Sequence, residues 1–167
     1  MTKVQLDAAD RRILAVLQSE GRISNLQLAD RVGLSPTPCS RRVKRLEDAG
    51  VITGYGARID PAALGLGISA IVTVRLSSPS QDEIAEFLAA VRRRAEITEC
   101  LLVAGNLDYV LRVQVGGVEN LRDFILTGLK TISCVSETST MLILESSKSV
   151  GSLPISPDAQ NMVKTAG

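Results

Sequence analysis

The chain contains no histidine and no tryptophan, and its 167 residues include only two tyrosines and two phenylalanines. Without histidine, the commonest general base and the commonest metal ligand are both missing. The three cysteines, Cys39, Cys100 and Cys134, are odd in number and widely spaced. They offer neither a disulfide framework nor the Cys-x-x-Cys half of a structural zinc site. No nucleophile motif takes their place, so the expectation is a non-enzyme with no cofactor and no metal. The few aromatics lie outside every basic stretch, which leaves no base-stacking platform and argues against single-stranded nucleic acid or RNA. No apolar run is long enough to span a bilayer, and the segment from Met1 to Asp7 lacks the apolar core of a signal peptide. A cytoplasmic protein with no membrane partner is therefore expected.

What is present is a globular composition, 45% hydrophobic and 22% charged, able to build a core. The net charge of +1 hides an asymmetry. Residues 1–58 carry ten Lys/Arg against six Asp/Glu, a balance of +4, and residues 59–167 carry nine against twelve, a balance of −3. A basic front half beside an acidic back half implies two modules, the front one facing a polyanion.

Periodicity divides the chain accordingly. A first helix is expected from Ala8 to Ser19, capped by Asp7, with Leu6, Ile13, Leu14 and Leu17 inward and Gly21 ending it. Ser24 opens a second helix, with Gln27 completing a capping box and Leu28, Ala29 and Val32 inward. Gly33-Leu34 forms a tight turn. Ser35 then caps a third helix with Pro36 at its first position, running to about Ala49. Pro38 still lies in the first turn, where a missing N–H has no intrahelical partner to lose. Val51–Tyr55 and Ala57–Ile59 read as short wing strands.

Residues 1–59 thus form a helix-turn-helix domain with wing strands, and 60–67 a linker broken at Pro61. After it the period changes to two. Strands are expected at Ile68–Leu76, Ile97–Ala104, Tyr109–Val115 and Val135–Leu144, with helices opening at Ser80 and Val118. The order βαββαβ gives a ferredoxin-like domain over 68–150, an antiparallel sheet with its helices on one face. Residues 151–167 read as a tail with a possible short strand at Ser152–Ile155. The fold class is α+β: an N-terminal winged helix-turn-helix of three helices plus a C-terminal ferredoxin-like domain. The helix-free sheet face carries Ile71, Thr73 and Val110 and is expected to pack on a second subunit.

The third helix carries the chemistry. At about 100° per residue, Cys39, Val43 and Leu46 share one narrow seam, and Thr37, Arg41, Lys44 and Arg45 lie opposite. A helix of this kind suits the major groove of double-stranded DNA, where arginine can bond guanine O6 and N7 together. Ser35, Thr37, Pro38, Ser40, Arg41 and Arg42 fall toward bases or close phosphates, although Arg42 sits on the flank and can instead lie along the core edge. Lys44 and Arg45 suit phosphate, as do Ser24, Asn25 and Gln27 at the start of the second helix.

These residues resemble a known family. Leu6-Asp7, Gly21-Arg22-Ile23-Ser24-Asn25, the run from Arg31-Val32-Gly33-Leu34-Ser35-Pro36 through Arg45-Leu46-Glu47, and Gly50-Val51-Ile52 look like the Lrp/AsnC regulators. Glu99-Cys100, Gly105, Asp108-Tyr109 and Leu111-Arg112 fit that family's regulation-of-amino-acid-metabolism domain. The resemblance covers residues 4 to about 150. It implies a transcription regulator that dimerises through the DNA-binding half, the linker strand and the sheet faces. Such dimers assemble into rings such as octamers and sense an amino acid in a cleft between regulatory domains. By resemblance the cleft includes Gly105, Asn106, Leu107, Asp108 and Tyr109, with Thr138, Ser139, Thr140, Met141 and Leu142. Backbone N–H groups in the glycine turn can hold a carboxylate, and Asp108 can hold an ammonium. Two positions depart from the pattern: Asn106 replaces an acidic residue, and Ser133-Cys134 replaces Pro-Gly.

The leading expectation is a sequence-specific DNA-binding regulator, modulated by a small effector such as an amino acid through its oligomeric assembly. A ligand-independent architectural DNA-binding protein and an amino-acid-sensing enzyme are the alternatives.

Overall fold

The computed structural model describes residues 5–77, 80–148 and 153–155. The chain forms two compact units: residues 5–58 with Leu153–Ile155, and residues 59–147.

The first unit contains three helices, α1 (Ala8–Ser19), α2 (Asn25–Val32) and α3 (Pro36–Asp48). Their starts are set locally. Asp7 and Asp10 form one reciprocal capping box and Ser24 and Gln27 another, each satisfying backbone donors that a helix start leaves open. Ser35 occupies the N-cap of α3 but makes no side-chain cap bond. The reason is covalent: Pro38, at the third helical position, has no N–H to offer. Between α2 and α3 the backbone turns at Gly33, whose φ of 69° is left-handed. The Leu34 amide reaches back to Ala29 O at 2.9 Å and closes a Schellman-type stop. The core is Ile13, Leu28, Ala29, Val32, Cys39 and Leu46, one stripe from each helix. Full burial of a side chain such as Ile13 or Leu46 contributes about 1.5–3 kcal/mol.

Residues 51–59 form no strand, in contrast to the expected wing. The Val51 and Ile52 amides both return to Leu46 O, at 2.9 and 3.1 Å, and extend the end of α3. The Tyr55 hydroxyl donates to Glu47 at 2.8 Å. The segment packs as coil, and among the described residues no strand hydrogen-bonds it. Leu153–Ile155 is likewise not a strand. Both backbone groups of Leu153 pair with the Gln18 amide side chain, and Ile155 faces an apolar groove that includes Leu6, Leu14, Leu17 and Ile52. The other residues of the expected tail, including Ser152, lie outside the described residues.

In the second unit a 3-10 turn at Pro61–Leu64 leads into β1 (Ile68–Leu76), α4 (Gln81–Arg92), β2 (Ile97–Leu102), β3 (Tyr109–Val115), α5 (Val118–Asp123) and β4 (Val135–Leu142). The antiparallel sheet has the order β2-β3-β1-β4. Ala70, Val72, Val74 and Leu76 of β1, with Tyr109, Leu111, Val113 and Val115 of β3, make one apolar face, covered by Phe87 and Val91 of α4 and by Leu121 and Phe124. Ser80 and Glu83 cap α4 reciprocally.

The last helix does not stay α-helical. After Asp123 the segment Phe124–Leu129 winds as a π-helix, with Lys130 N bonded to Ile125 O at 3.0 Å. Two hydroxyls bond back to carbonyls: Thr127 Oγ1 to Asp123 O at 2.7 Å and Thr131 Oγ1 to Thr127 O at 3.2 Å. They compete with the i−4 ladder, and a wider turn accommodates them.

Candidate DNA interface and effector cleft

Helix α3 buries Cys39 and Leu46 and leaves Ser35, Thr37, Pro38, Ser40, Arg41, Lys44 and Arg45 exposed. Burial raises the Cys39 thiol above its ordinary pKa, which suits a packing residue. Its cationic residues differ sharply in how they are held. Arg41 makes no ion pair or side-chain hydrogen bond among the described residues. Lys44 stands 3.9 Å from Asp48, a loose surface pair of about 0–1 kcal/mol. Arg42 and Arg45, in contrast, both reach the carboxylate of Asp10 on α1, with Arg42 at 2.9 Å. Arg42 also bonds Asp7 at 2.6 Å.

Asp10 is fully buried. One of its oxygens also accepts from the Asp7 amide at 3.0 Å, so a single carboxylate closes the cap of α1 and anchors two arginines of α3. The Asp10 backbone N–H and then the Arg42 guanidinium lower the Asp7 pKa to about 2. Hydrogen bonds to the Asp7 and then the Asp10 carboxylate raise Arg42. Arg42 therefore lies along the edge of the core, and Arg45 is half committed to it. Arg41 is exposed and has no ion-pair or side-chain hydrogen-bond partner among the described residues.

The start of α2 is also internally engaged. Ser24 and Gln27 bond each other, and the Asn25 amide donates to Pro36 O at 2.9 Å. Asn25 thereby joins the first turn of α2 to the first turn of α3.

In the second unit the turn between β2 and β3 lies beside a small cleft of about 190 Å³. Asn106, Leu107 and Ser139 line it together with Thr73, Arg75 and Glu137. Arg75 donates from Nε to Asn106 O at 3.0 Å, bonds the same oxygen through Nη2, and pairs with Glu137 at 3.5 Å. The other expected effector residues go elsewhere. Asp108 is engaged by the backbone, accepting from the Leu76 amide at 2.7 Å. Tyr109 is buried against Phe87, with ring centroids 4.9 Å apart. Burial raises its phenol pKa. On β4 the residues alternate between faces. Ser139 and Met141 stand opposite Thr73 and Ile71, whereas Thr138, Thr140 and Leu142 stand opposite the core-facing Val74, Val72 and Ala70. A run of five consecutive strand residues cannot line one cleft.

Residues 6–53 match the family model of a winged helix-turn-helix DNA-binding domain, and residues 69–153 match that of the Lrp/AsnC ligand binding domain. The chain belongs to the Lrp/AsnC family. The leucine-responsive regulatory protein of Haemophilus influenzae is 43% identical over 143 residues, 86% of each chain. The HTH-type transcriptional regulator AldR of Mycolicibacterium smegmatis is 42% identical over 140 residues, 84% of this chain and 82% of that one. A transcriptional regulator of Neisseria meningitidis, solved as its L-Met complex, superposes with a TM-score of 0.87 at 36% identity. That likeness covers 90% of this chain and 97% of the other.

This Lrp/AsnC protein is therefore a DNA-binding transcriptional regulator with a ligand-binding domain, and the relatives named above are transcriptional regulators. Among the described residues no helix is long and apolar enough to cross a membrane. Sequence reasoning missed three contributors to its sites. Asp10 looked like an ordinary residue of an amphipathic helix. Arg75 and Glu137 are 62 positions apart, and only the β1–β4 register opposes them. The alternation of β1 did place Arg75 on the face away from the core, a signal that could have found it.

Proposed function

We propose that this regulator reads its operator with the first turns of α3, and that Arg41 makes the decisive base contact. The observation that carries this reading is the division of labour among the cations of α3. Arg42 and Arg45 are fixed to Asp10, and among the described residues Arg41 is the cation of α3 that is exposed without a protein partner. A fixed helix with one unpaired arginine suits bidentate recognition of guanine, with Ser35, Thr37, Pro38 and Ser40 beside it. Arg42, Lys44 and Arg45, with Ser24, Asn25 and Gln27 at the start of α2, set the register on phosphates.

The test uses an operator selected by the full-length wild-type protein. Arg41→Ala lowers its discrimination against random DNA by about 1–3 kcal/mol, roughly 5- to 150-fold, and leaves the unfolding midpoint unchanged. An unchanged specificity ratio overturns the assignment. A uniform loss on all sequences moves Arg41 to a phosphate role.

An amino acid or a related small molecule is the effector, and the cleft at Gly105–Leu107 is its site. Three features support this. A glycine turn offers backbone N–H groups, Arg75 and Glu137 supply opposite charges beside Asn106 and Ser139, and a relative was solved as an L-Met complex. Asn106 adds no charge, so Glu137 is the ammonium partner in place of Asp108. The effector acts by shifting assembly of a cytoplasmic homo-oligomer, from dimers to a ring such as an octamer. Exposed Leu101 and Met141, with half-buried Ile71 and Val110, give the open sheet face apolar surface for that packing. A single monomer mass by sedimentation, with and without amino acid, would refute the assembly.

A further inference from the structure

We propose that the ligand-binding domain holds a second small-molecule site, at the end of the sheet remote from Gly105, which takes a free α-amino acid with an apolar side chain through both of its charges. A cavity of about 380 Å³ opens there, lined by Leu66, Arg94, Glu96, Gln114, Phe124 and Thr127 among others. Its volume lies within the roughly 300–1,000 Å³ typical of small-molecule clefts. The length of β3, from Tyr109 to Val115, separates it from the effector cleft by about 20 Å. This inference does not depend on the reading of that cleft.

The chemistry of the cavity is unusual in one respect. Arg94 and Glu96 are both half-buried, and neither makes a side-chain hydrogen bond or ion pair among the described residues. They do not pair with each other. Each charge is partly removed from water, and among the described residues neither has an oppositely charged partner. A simple anion or cation would satisfy one of them. A zwitterion satisfies both, its carboxylate on the planar guanidinium and its ammonium on Glu96. Gln114 donates from Nε2 to Ser69 at 3.1 Å, which keeps its carbonyl oxygen as a further acceptor. Leu66, Val115 and Phe124 supply an apolar wall for the ligand side chain.

Arg94 is also held in place. Its guanidinium carbon lies 5.7 Å from the centre of the Phe124 ring, a cation–π contact. A Cβ at position 128 would come within 2.9 Å of that carbon, so glycine is what lets the guanidinium lie against the helix. Phe124 and Gly128 both belong to the π-helix, a distortion that recurs at functional sites. Arg94 and two residues of the π-helix, Phe124 and Thr127, line one cavity.

Hydrogen–deuterium exchange of the full-length protein tests this with L-leucine, L-methionine and L-phenylalanine at about 10 mM, ten times a Kd of about 1 mM. The expected result is protection of residues 114–128 by at least one of them. Leucine methyl ester and N-acetyl-leucine, each lacking one charge, give none. Arg94→Gln and Glu96→Gln each weaken the protection about tenfold or more, with the circular dichroism spectrum retained. Arg75→Gln leaves it intact. Absence of protection at 114–128 with all three amino acids overturns the proposal, and so does equal protection by the ester or the acetyl derivative. Protection at 114–128 without any at 103–109 would uphold this site and refute the effector cleft, so the two readings fail separately.

Discussion

Replacing Asp10 by alanine tests the anchoring of the recognition helix. Three bonds end on this fully buried carboxylate: from the Asp7 amide at 3.0 Å, from Arg42 at 2.9 Å and from Arg45. Losing the first leaves an open donor at the start of α1, which costs about 1 kcal/mol. Breaking a fully buried pair costs about 3–5 kcal/mol. Here the guanidiniums are 31% and 50% exposed and recover water, so each loss lies nearer the ~0–1 kcal/mol of surface pairs. Together the expected destabilisation is about 1–3 kcal/mol. For a small domain that lowers the midpoint by roughly 4–24 °C. Calorimetry of the full-length protein should show this shift in the transition of the DNA-binding unit. Asp10→Asn, which keeps an oxygen for the Asp7 amide, should fall between alanine and wild type. Arg42 and Arg45, released from the carboxylate, should bind DNA of any sequence more tightly at low salt and lower the specificity ratio. A midpoint for Asp10→Ala equivalent to less than about 0.5 kcal/mol of change, with an unaltered ratio, would refute the anchoring role.

Protonation probes the same contacts. The Asp7 pKa is depressed from 3.8 to about 2, so its stabilising contribution is fully present above about pH 4 and is lost as pH falls toward 2. Denaturant titrations of wild type and Asp7→Ala should therefore differ at pH 6 and converge near pH 2. Gly33→Ala must place a side chain at φ 69°, and it should destabilise the DNA-binding unit by about 1–2 kcal/mol, read as a lower urea midpoint with an unchanged m-value. Gln18→Ala removes both bonds to Leu153, and the Leu153 amide should exchange about tenfold faster while α1 keeps its protection.

The parts of this protein that were legible in the sequence are those decided over three or four residues. Asp7, Ser24 and Ser80 cap helices because the donors they satisfy lie on their own chain three positions away. The spacing of Cys39 and Leu46 fixed which side of α3 is buried, and hence that Arg41 faces outward. Strict alternation in β1 and β3 assigned their faces. Tertiary structure alone decided what depends on distant partners. Asp10 becomes an anchor because residues 32 and 35 positions later fold onto it. Residues 51–59 have strand-forming chemistry, yet a strand exists only where another lies beside it, and among the described residues none does. The β4 register placed Glu137 and Ser139 in the cleft and turned Thr138, Thr140 and Leu142 away, a choice that a shift of one residue would reverse. For α3, local rules identified the exposed face, and the tertiary contacts to Asp10 decided which of its arginines are held.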